Sequence, residues 1–275
     1  MGVLEGTEGA HVNATDAAEV AAVRAAASEE LQVLQVRGLK MAFGGLAIFG
    51  GLDFSLLRGE RHAIIGPNGA GKSTFVNLVT GMLKPLGGEI RLDGQDLTRA
   101  GPQKRVKAGL VRTFQINTLF GKLTPLESVV LALCERDGLN RPSWRPVHRH
   151  ATQIDEACAL LERFGLIAVA GTTTEALAYG EQRLLEVAMA VALRPKVLLL
   201  DEPAAGLSTA QGAALFEQLS QVAAGTTVLF IEHDMGLVFR FADRVSVFAG
   251  GSVIAQGTPD EVRANEEVRS AYLGH

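Results

Sequence analysis

Residues 62–75, HAIIGPNGAGKSTF, constrain the fold of this 275-residue chain more than any other stretch. The apolar run HAII leads into Gly66-Pro67-Asn68-Gly69-Ala70-Gly71-Lys72-Ser73, which fits GxxxxGK[ST]. A helical pattern follows over about residues 71–82. The glycines let successive N–H groups turn toward one anion, and a helix N-terminus adds a fractional positive charge. Lys72 would reach the β- and γ-phosphates of a nucleotide. The Ser73 hydroxyl would ligate Mg²⁺, and Thr74 would donate to the α-phosphate.

The rest of the chain agrees with a strand–turn–helix start. Val197–Leu200 and Val228–Ile231 are each a fully apolar run of four, the pattern of parallel strands buried on both faces. LQVLQVRGL (31–39) alternates, and GEIRLDG (88–94) reads as a further strand. Residues 120–180 lose the strand signal. They hold helical patterns such as Ile154–Phe164 and a polar stretch, NRPSWRPVHRH. Strands alternating with helices predict an α/β parallel sheet with a helical insertion in the middle. Thr258-Pro259-Asp260-Glu261 combines a cap, a proline at the first helical position and a glutamate three after the cap, so a helix should start there.

Residues 1–30 differ: they are Ala-rich, with six acidic side chains against Arg24. Two readings stand, a solvated extension and a docking arm for a partner. The net charge of −4 gives no electrostatic footprint for nucleic acid. Cys134 and Cys158 are far apart with no CxxC, which argues against a zinc site or a disulfide framework and fits a reducing compartment. No apolar run reaches the ~18–20 residues of a membrane span, and no signal-peptide pattern opens the chain. A cytoplasmic protein is expected, working at a membrane only through partners.

Two strand ends carry chemistry. VLLL runs into Asp201-Glu202, and VLFI into Glu232-His233-Asp234. Ligands of open α/β sheets bind at the carboxyl ends of the strands. Asp201 would hold Mg²⁺ through water and Glu202 would polarise an attacking water, a task of positioning and charge stabilisation. His233 would hold the γ-phosphate or the lytic water; its plain alternative is a strand-end histidine with a local hydrogen bond. Gln115, in RTFQ at the edge of the helical region, has two readings side by side, a sensor of Mg²⁺ and water or an ordinary polar side chain.

A second anion cradle is written at 177–182, LAYGEQ, where a glycine stands at the start of an apolar-periodic helix. With it the chain resembles the nucleotide-binding subunit of an ATP-binding cassette (ABC) transporter. The resemblance covers about residues 31–275. It rests on six ordered motifs: 66–74, TFQ at 113–115, LAYGEQ at 177–182, VLLLDE at 197–202, AAGLS at 204–208 and EHD at 232–234. It implies a P-loop NTPase fold of the ABC ATPase type: a mostly parallel core sheet, an antiparallel β subdomain and an inserted α-helical subdomain at about 116–180. Phe43 stands where the family stacks an aromatic on adenine; a core or turn phenylalanine is the other reading. The resemblance also implies ATP and Mg²⁺ as cofactors and a head-to-tail pair of subunits. Ala178, Tyr179, Gly180, Glu181 and Gln182 would then close over the ATP held by the partner's phosphate loop, with the helix dipole acting in trans as an arginine finger does elsewhere.

Two positions depart from the broad family, Ala178 where serine is usual and Ser208 where aspartate is usual. The first removes one hydroxyl, worth about 1 kcal/mol. The second puts the cross-dimer contact of that loop in doubt, and Ser208-Thr209-Ala210-Gln211 also reads as a capping box. The stretch from LAYGEQ to AAGL, IEHDMGLV and the ending AYLGH are similar to ATPases of branched-chain amino-acid importers and their urea and amide relatives. That implies an identical or sister ATPase as partner, two integral membrane permease subunits and, indirectly, an extracytoplasmic solute-binding protein. The chain would sit at the cytoplasmic face of the inner membrane, peripheral through the membrane subunits. An ATPase of lipopolysaccharide-export type and a soluble, non-transport ABC ATPase are the alternatives.

Overall fold

The computed structural model describes residues 31–113, 119–139, 150–222 and 225–273. Residues 1–30, Gln115 and most of NRPSWRPVHRH lie outside them. The chain opens with two long strands, β1 (Gln32–Phe43) and β2 (Leu46–Leu57), paired antiparallel. β4 (Gly87–Leu92) pairs antiparallel on the other side of β1, and β5 (Gln95–Asp96) closes a four-stranded sheet, β2-β1-β4-β5.

A second sheet has the order β10-β9-β3-β8-β7-β6. Its strands are β3 (Arg61–Ile65), β6 (Leu110–Arg112), β7 (Val197–Asp201), β8 (Thr227–Ile231), β9 (Arg244–Ala249) and β10 (Ser252–Gly257). All neighbours run parallel except the edge pair β9–β10. The fold is thus α/β, with a mostly parallel sheet and an antiparallel one, as expected.

The continuous apolar runs are explained by burial on both faces. Leu198, Leu200 and Phe230 turn to one side, against the helices. Val197, Leu199, Leu229 and Ile231 turn to the other, against helix α1 (Lys72–Val79) and the antiparallel sheet. Phe75 of α1 joins the two sheets, edge-on to Phe54 at 5.0 Å and to Phe248 at 5.3 Å. Helix α1 stops at Val79, short of the expected 82. Gly81 takes φ +78 there, and a Cβ on it would lie 2.8 Å from Ala100 O and from Arg105 Nε. Arg105, on α2 (Pro102–Ala108), is fully buried and donates to Leu78 O, Val79 O, Thr98 O and Ala100 O. Its guanidinium therefore caps the carbonyl end of α1, favourable against the helix dipole. Burial pulls its pKa down to about 10, so it stays charged at neutral pH.

Between β6 and β7 the described residues hold helices and no strand. They are α3 (Pro125–Arg136), α4 (Ala151–Arg163) and α5 (Tyr179–Ala192), with short 3₁₀ turns at Ile167–Val169 and Thr174–Ala176. Thr124 and Glu127 form a capping box at the start of α3. Arg136 grips Glu156 of α4 with both terminal nitrogens, at 2.6 and 2.9 Å, and Arg194 beyond α5 reaches the same carboxylate at 2.9 Å. After β7 come α6 (Thr209–Val222), α7 (Met235–Phe241), α8 (Pro259–Ala264) and α9 (Glu266–Leu273). The capping boxes read at Thr258 and Ser208 both form. Among the described residues no helix is long and apolar enough to cross a membrane.

Candidate active site

Three parallel strands deliver the site residues to one level. Ile231 of β8 is in register with Ile64 of β3 and with Asp201 of β7. β3 therefore runs out into Gly66, β7 into Glu202, and β8 into Glu232-His233, side by side.

The glycines of the 66–73 turn have distinct reasons. A Cβ on Gly66 would stand 2.3 Å from Phe248 O, so β9 leaves no room for a side chain. Gly71 is the N-cap of α1 at φ +97, and a Cβ there would meet the Phe49 ring at 2.8 Å. Gly69 has φ +82 with open space around it. Pro67, Asn68 and Gly69 are exposed, and Ala70 is buried. Lys72 folds back: Nζ donates to Gly66 O at 2.6 Å and to Pro67 O at 3.1 Å, leaving the residue 7% exposed. Burial lowers the pKa of this ammonium, opposed by the carboxylates of Glu202 and Asp201. Ser73 is exposed and Thr74 half-buried at the first turn of α1. Phe43, at the end of β1, is 47% exposed and not part of the core. The neighbouring strand β2 brings Ile48 and Phe49 against Gly71.

Asp201 Oδ2 accepts from Arg112 Nη2 at 2.6 Å, and Arg112 Nη1 donates to Asn77 Oδ1 at 2.8 Å. Glu202 takes φ +49, unusual for a residue with a Cβ. The turn is held by Glu202 N–H donating across to Ile231 O. It aims the side chain at His233: Oε1 and Nε2 are 2.9 Å apart, both residues well exposed. Asp234 caps α7 by accepting from the N–H groups of Gly236 and Leu237. A pocket of about 240 Å³ lies beside this pair, between loop 204–209 and residues 232–237. A larger cleft, about 770 Å³, is walled by residues 95–100, Lys104 and Lys107 and contains none of the motif residues.

The 177–182 turn is elsewhere in the chain's own hydrogen-bond network. Ala178 is the N-cap of α5, and its N–H donates to Glu181 Oε2 at 2.9 Å. Gln182 Nε2 donates to Thr174 O and Leu177 O. Tyr179 Oη donates to Ala205 O at 2.9 Å. Gly180 has room for a Cβ, with nothing nearer than 3.7 Å. Among the described residues no hydrogen bond or ion pair joins 177–182 to 66–74.

Comparison with known proteins matches residues 49–205, more than half the chain, to a family model described as "ABC transporter". The chain belongs to the ABC transporter family. A second model, "Branched-chain amino acid ATP-binding cassette transporter", matches residues 252–275. The high-affinity branched-chain amino acid transport ATP-binding protein LivG of Escherichia coli K12 is 41% identical over 251 residues, covering 88% of this chain and 98% of LivG. BraF of Pseudomonas aeruginosa, of the same description, is 39% identical over the same shares. The ADP conformation of an ATP-binding cassette of an ABC transporter superposes with TM-score 0.78 at 29% identity, over 89% of this chain and 99% of that one.

Sequence reasoning gave no role to two residues here. Arg112 ends β6 and neutralises Asp201 from the side; its only signal was a position three residues before Gln115. Glu232 is 5% exposed and accepts from Ala204 N–H at 2.8 Å and His233 N–H at 3.2 Å. Burial pushes its carboxyl above the ordinary range. For Mg²⁺ the chemistry of the donor set fits: Ser73 offers a hydroxyl and Asp201 a carboxylate, both hard oxygen ligands. Gln115, the third metal candidate, lies outside the described residues.

Proposed function

We propose that the chain is the ATPase subunit of an importer for branched-chain amino acids or related small polar solutes, bound at the cytoplasmic face of the membrane through permease subunits. The observation that carries the catalytic reading is the level arrangement of the Gly66 turn, Asp201-Glu202 and His233 at the ends of three adjoining parallel strands. The cargo class is supported by the likeness to LivG and BraF over nearly their whole length and by the match at residues 252–275. The same relatives favour an importer over an export-type system.

In this reading residues 66–74 cradle the phosphates with backbone N–H groups, and Lys72 leaves the carbonyls of Gly66 and Pro67 for the β- and γ-phosphates. Phe43 offers an exposed face to adenine. Ser73, Asp201 and Gln115 would hold Mg²⁺, directly or through water, and the ion would supply positive charge to offset that of the phosphates. Glu202 orients the attacking water and accepts its proton. His233 steadies Glu202 and faces the γ-phosphate. ATP and water yield ADP and phosphate. Ala178–Gln182 address the nucleotide of a second ATPase subunit, which explains a turn unconnected to its own phosphate loop. The helices between β6 and β7 receive the permease subunits, and an extracytoplasmic binding protein delivers the solute to them.

The test is Glu202→Gln. Loss of the proton acceptor should lower hydrolysis by about 10²–10³ while ATP binding persists, so Mg-ATP should trap a dimer visible by light scattering. A monomer at high protein and saturating ATP would overturn pairing of the chain with itself and leave a sister chain as the partner. Recovery of this chain from native membranes with soluble partners only would overturn the transporter assignment.

A further inference from the structure

In a head-to-tail pair each chain serves two nucleotides: the 177–182 turn addresses one, and the phosphate loop with Glu202 and His233 addresses the other. Within one chain these half-sites are joined by hydrogen bonds through a single loop, 204–206. On one side Tyr179 Oη donates to Ala205 O at 2.9 Å. Arg183 Nη2 donates to the same Oη at 3.1 Å, with its guanidinium 5.4 Å from the centre of the Tyr179 ring, and is anchored by buried Glu186 at 2.9 Å. Gly206, at φ +79, runs directly against the ring, where a Cβ would be 3.0 Å from Cε1 and Oη.

On the other side the next residue back, Ala204, donates its N–H to Glu232 Oε1, and Glu232 Oε2 accepts from His233 N–H. His233 in turn meets Glu202 through Nε2. No cation pairs with Glu232 in the ion pairs of the described residues; its two oxygens go to these two backbone groups. Burying a carboxyl is costly unless its hydrogen bonds are made. Here they tie a loop to the backbone of a catalytic histidine.

We propose that Tyr179 and Glu232 are positioning residues that clamp loop 204–206 from opposite sides, so that the turn offered to the partner's nucleotide and the Glu202–His233 pair of the same chain are held in one geometry. The proposal rests on the paired reading above. Neither side chain acts on a reacting atom in this role. Each acts through the backbone of Ala204–Ala205, and Glu232 also through that of His233. Coupling of this kind is demonstrated by the failure of mutational effects to multiply.

The experiment is a double-mutant cycle on ATP hydrolysis by the full-length chain, with kcat and KM measured separately. Tyr179→Phe removes one hydroxyl and keeps the ring. Glu232→Ala removes both acceptors, and Glu232→Gln keeps one. Tyr179→Phe and Glu232→Ala should each lower kcat about fivefold with KM for ATP changed less than about twofold, and Glu232→Gln should fall between wild type and Glu232→Ala. The double variant should lose no more than the worse single. A product of the two losses, about 25-fold, would mean independent residues and end the proposal, as would single variants with unchanged kcat. Light scattering of each variant combined with Glu202→Gln separates the two readings. Dimers that form on ATP beside a multiplicative cycle remove only the clamp. Absence of an ATP-driven dimer in Glu202→Gln alone removes self-pairing, and the clamp with it.

Discussion

At the scale of single residues the site is governed by where a Cβ or a hydroxyl can be. Gly66 faces a backbone carbonyl of β9, which cannot move aside as a flexible side chain can. Gly66→Ala should therefore cost about 2–3 kcal/mol in urea unfolding, at the upper end of overpacking effects, and abolish ATP binding with it. Ala178 is the converse case. It holds the extended dihedrals of an N-cap, φ −60 and ψ 151, but supplies no acceptor, so only the Glu181 half of a capping box exists. Ala178→Ser should complete it and raise stability by about 1 kcal/mol, read as a shift in the urea midpoint at unchanged slope. Ser208, the other departure from the family pattern, already caps α6, which gives its side chain a structural use within the chain.

At the scale of elements two buried or half-buried arginines hold helices in place. Arg105 satisfies the carbonyl end of the helix that starts at the phosphate loop. Arg105→Leu should cost about 3 kcal/mol, since several buried carbonyls lose their donor at once, and thermal unfolding of the purified variant would read it. Arg136 and Arg194 meet on Glu156 across α3, α4 and the end of α5. The hydrogen bond from Arg136 is the main cause of the lowered pKa of Glu156, with burial opposing it. A carboxyl with a depressed folded pKa adds stability that is present above its ordinary pKa and lost as pH falls through the depressed value. Wild type should therefore exceed Glu156→Gln in stability at neutral pH, by about 1 kcal/mol for a partly exposed pair. The gap should close on acidification below the ordinary glutamate range, as followed by unfolding at a series of pH values.

At the scale of the whole molecule the proposal to test is that the 177–182 turn addresses the nucleotide of a second subunit. Lys72→Ala disables the loop of a chain, and Gly180→Asp puts a negative charge where a phosphate should approach while fitting the free space at that position. If the chain pairs with itself, each variant alone should be inactive. An equal mixture should recover about a quarter of wild-type hydrolysis, since half the dimers are mixed and each of those has one intact composite site. No recovery would point to a sister chain as partner.

Much of the candidate site was legible in the sequence because its residue patterns are local. The spacing from Gly66 to Ser73, the carboxylates after VLLL and the histidine after VLFI are short-range patterns, and buried parallel strands announce themselves as unbroken apolar runs. The capping boxes at Ser208 and Thr258 were readable for the same reason, since a cap and its partner are three residues apart. What the tertiary structure decided are the pairings between distant segments. Arg112 meets Asp201 across 89 residues, Tyr179 meets Ala205 across 26, and Glu232 meets Ala204 across 28. The end of α1 was set by Ala100 and Arg105 rather than by its own periodicity. A sequence determines hydrogen bonds made within a turn of chain. Those made between strand ends exist only once register brings the ends level, and no residue pattern near Arg112 or Glu232 encodes that register.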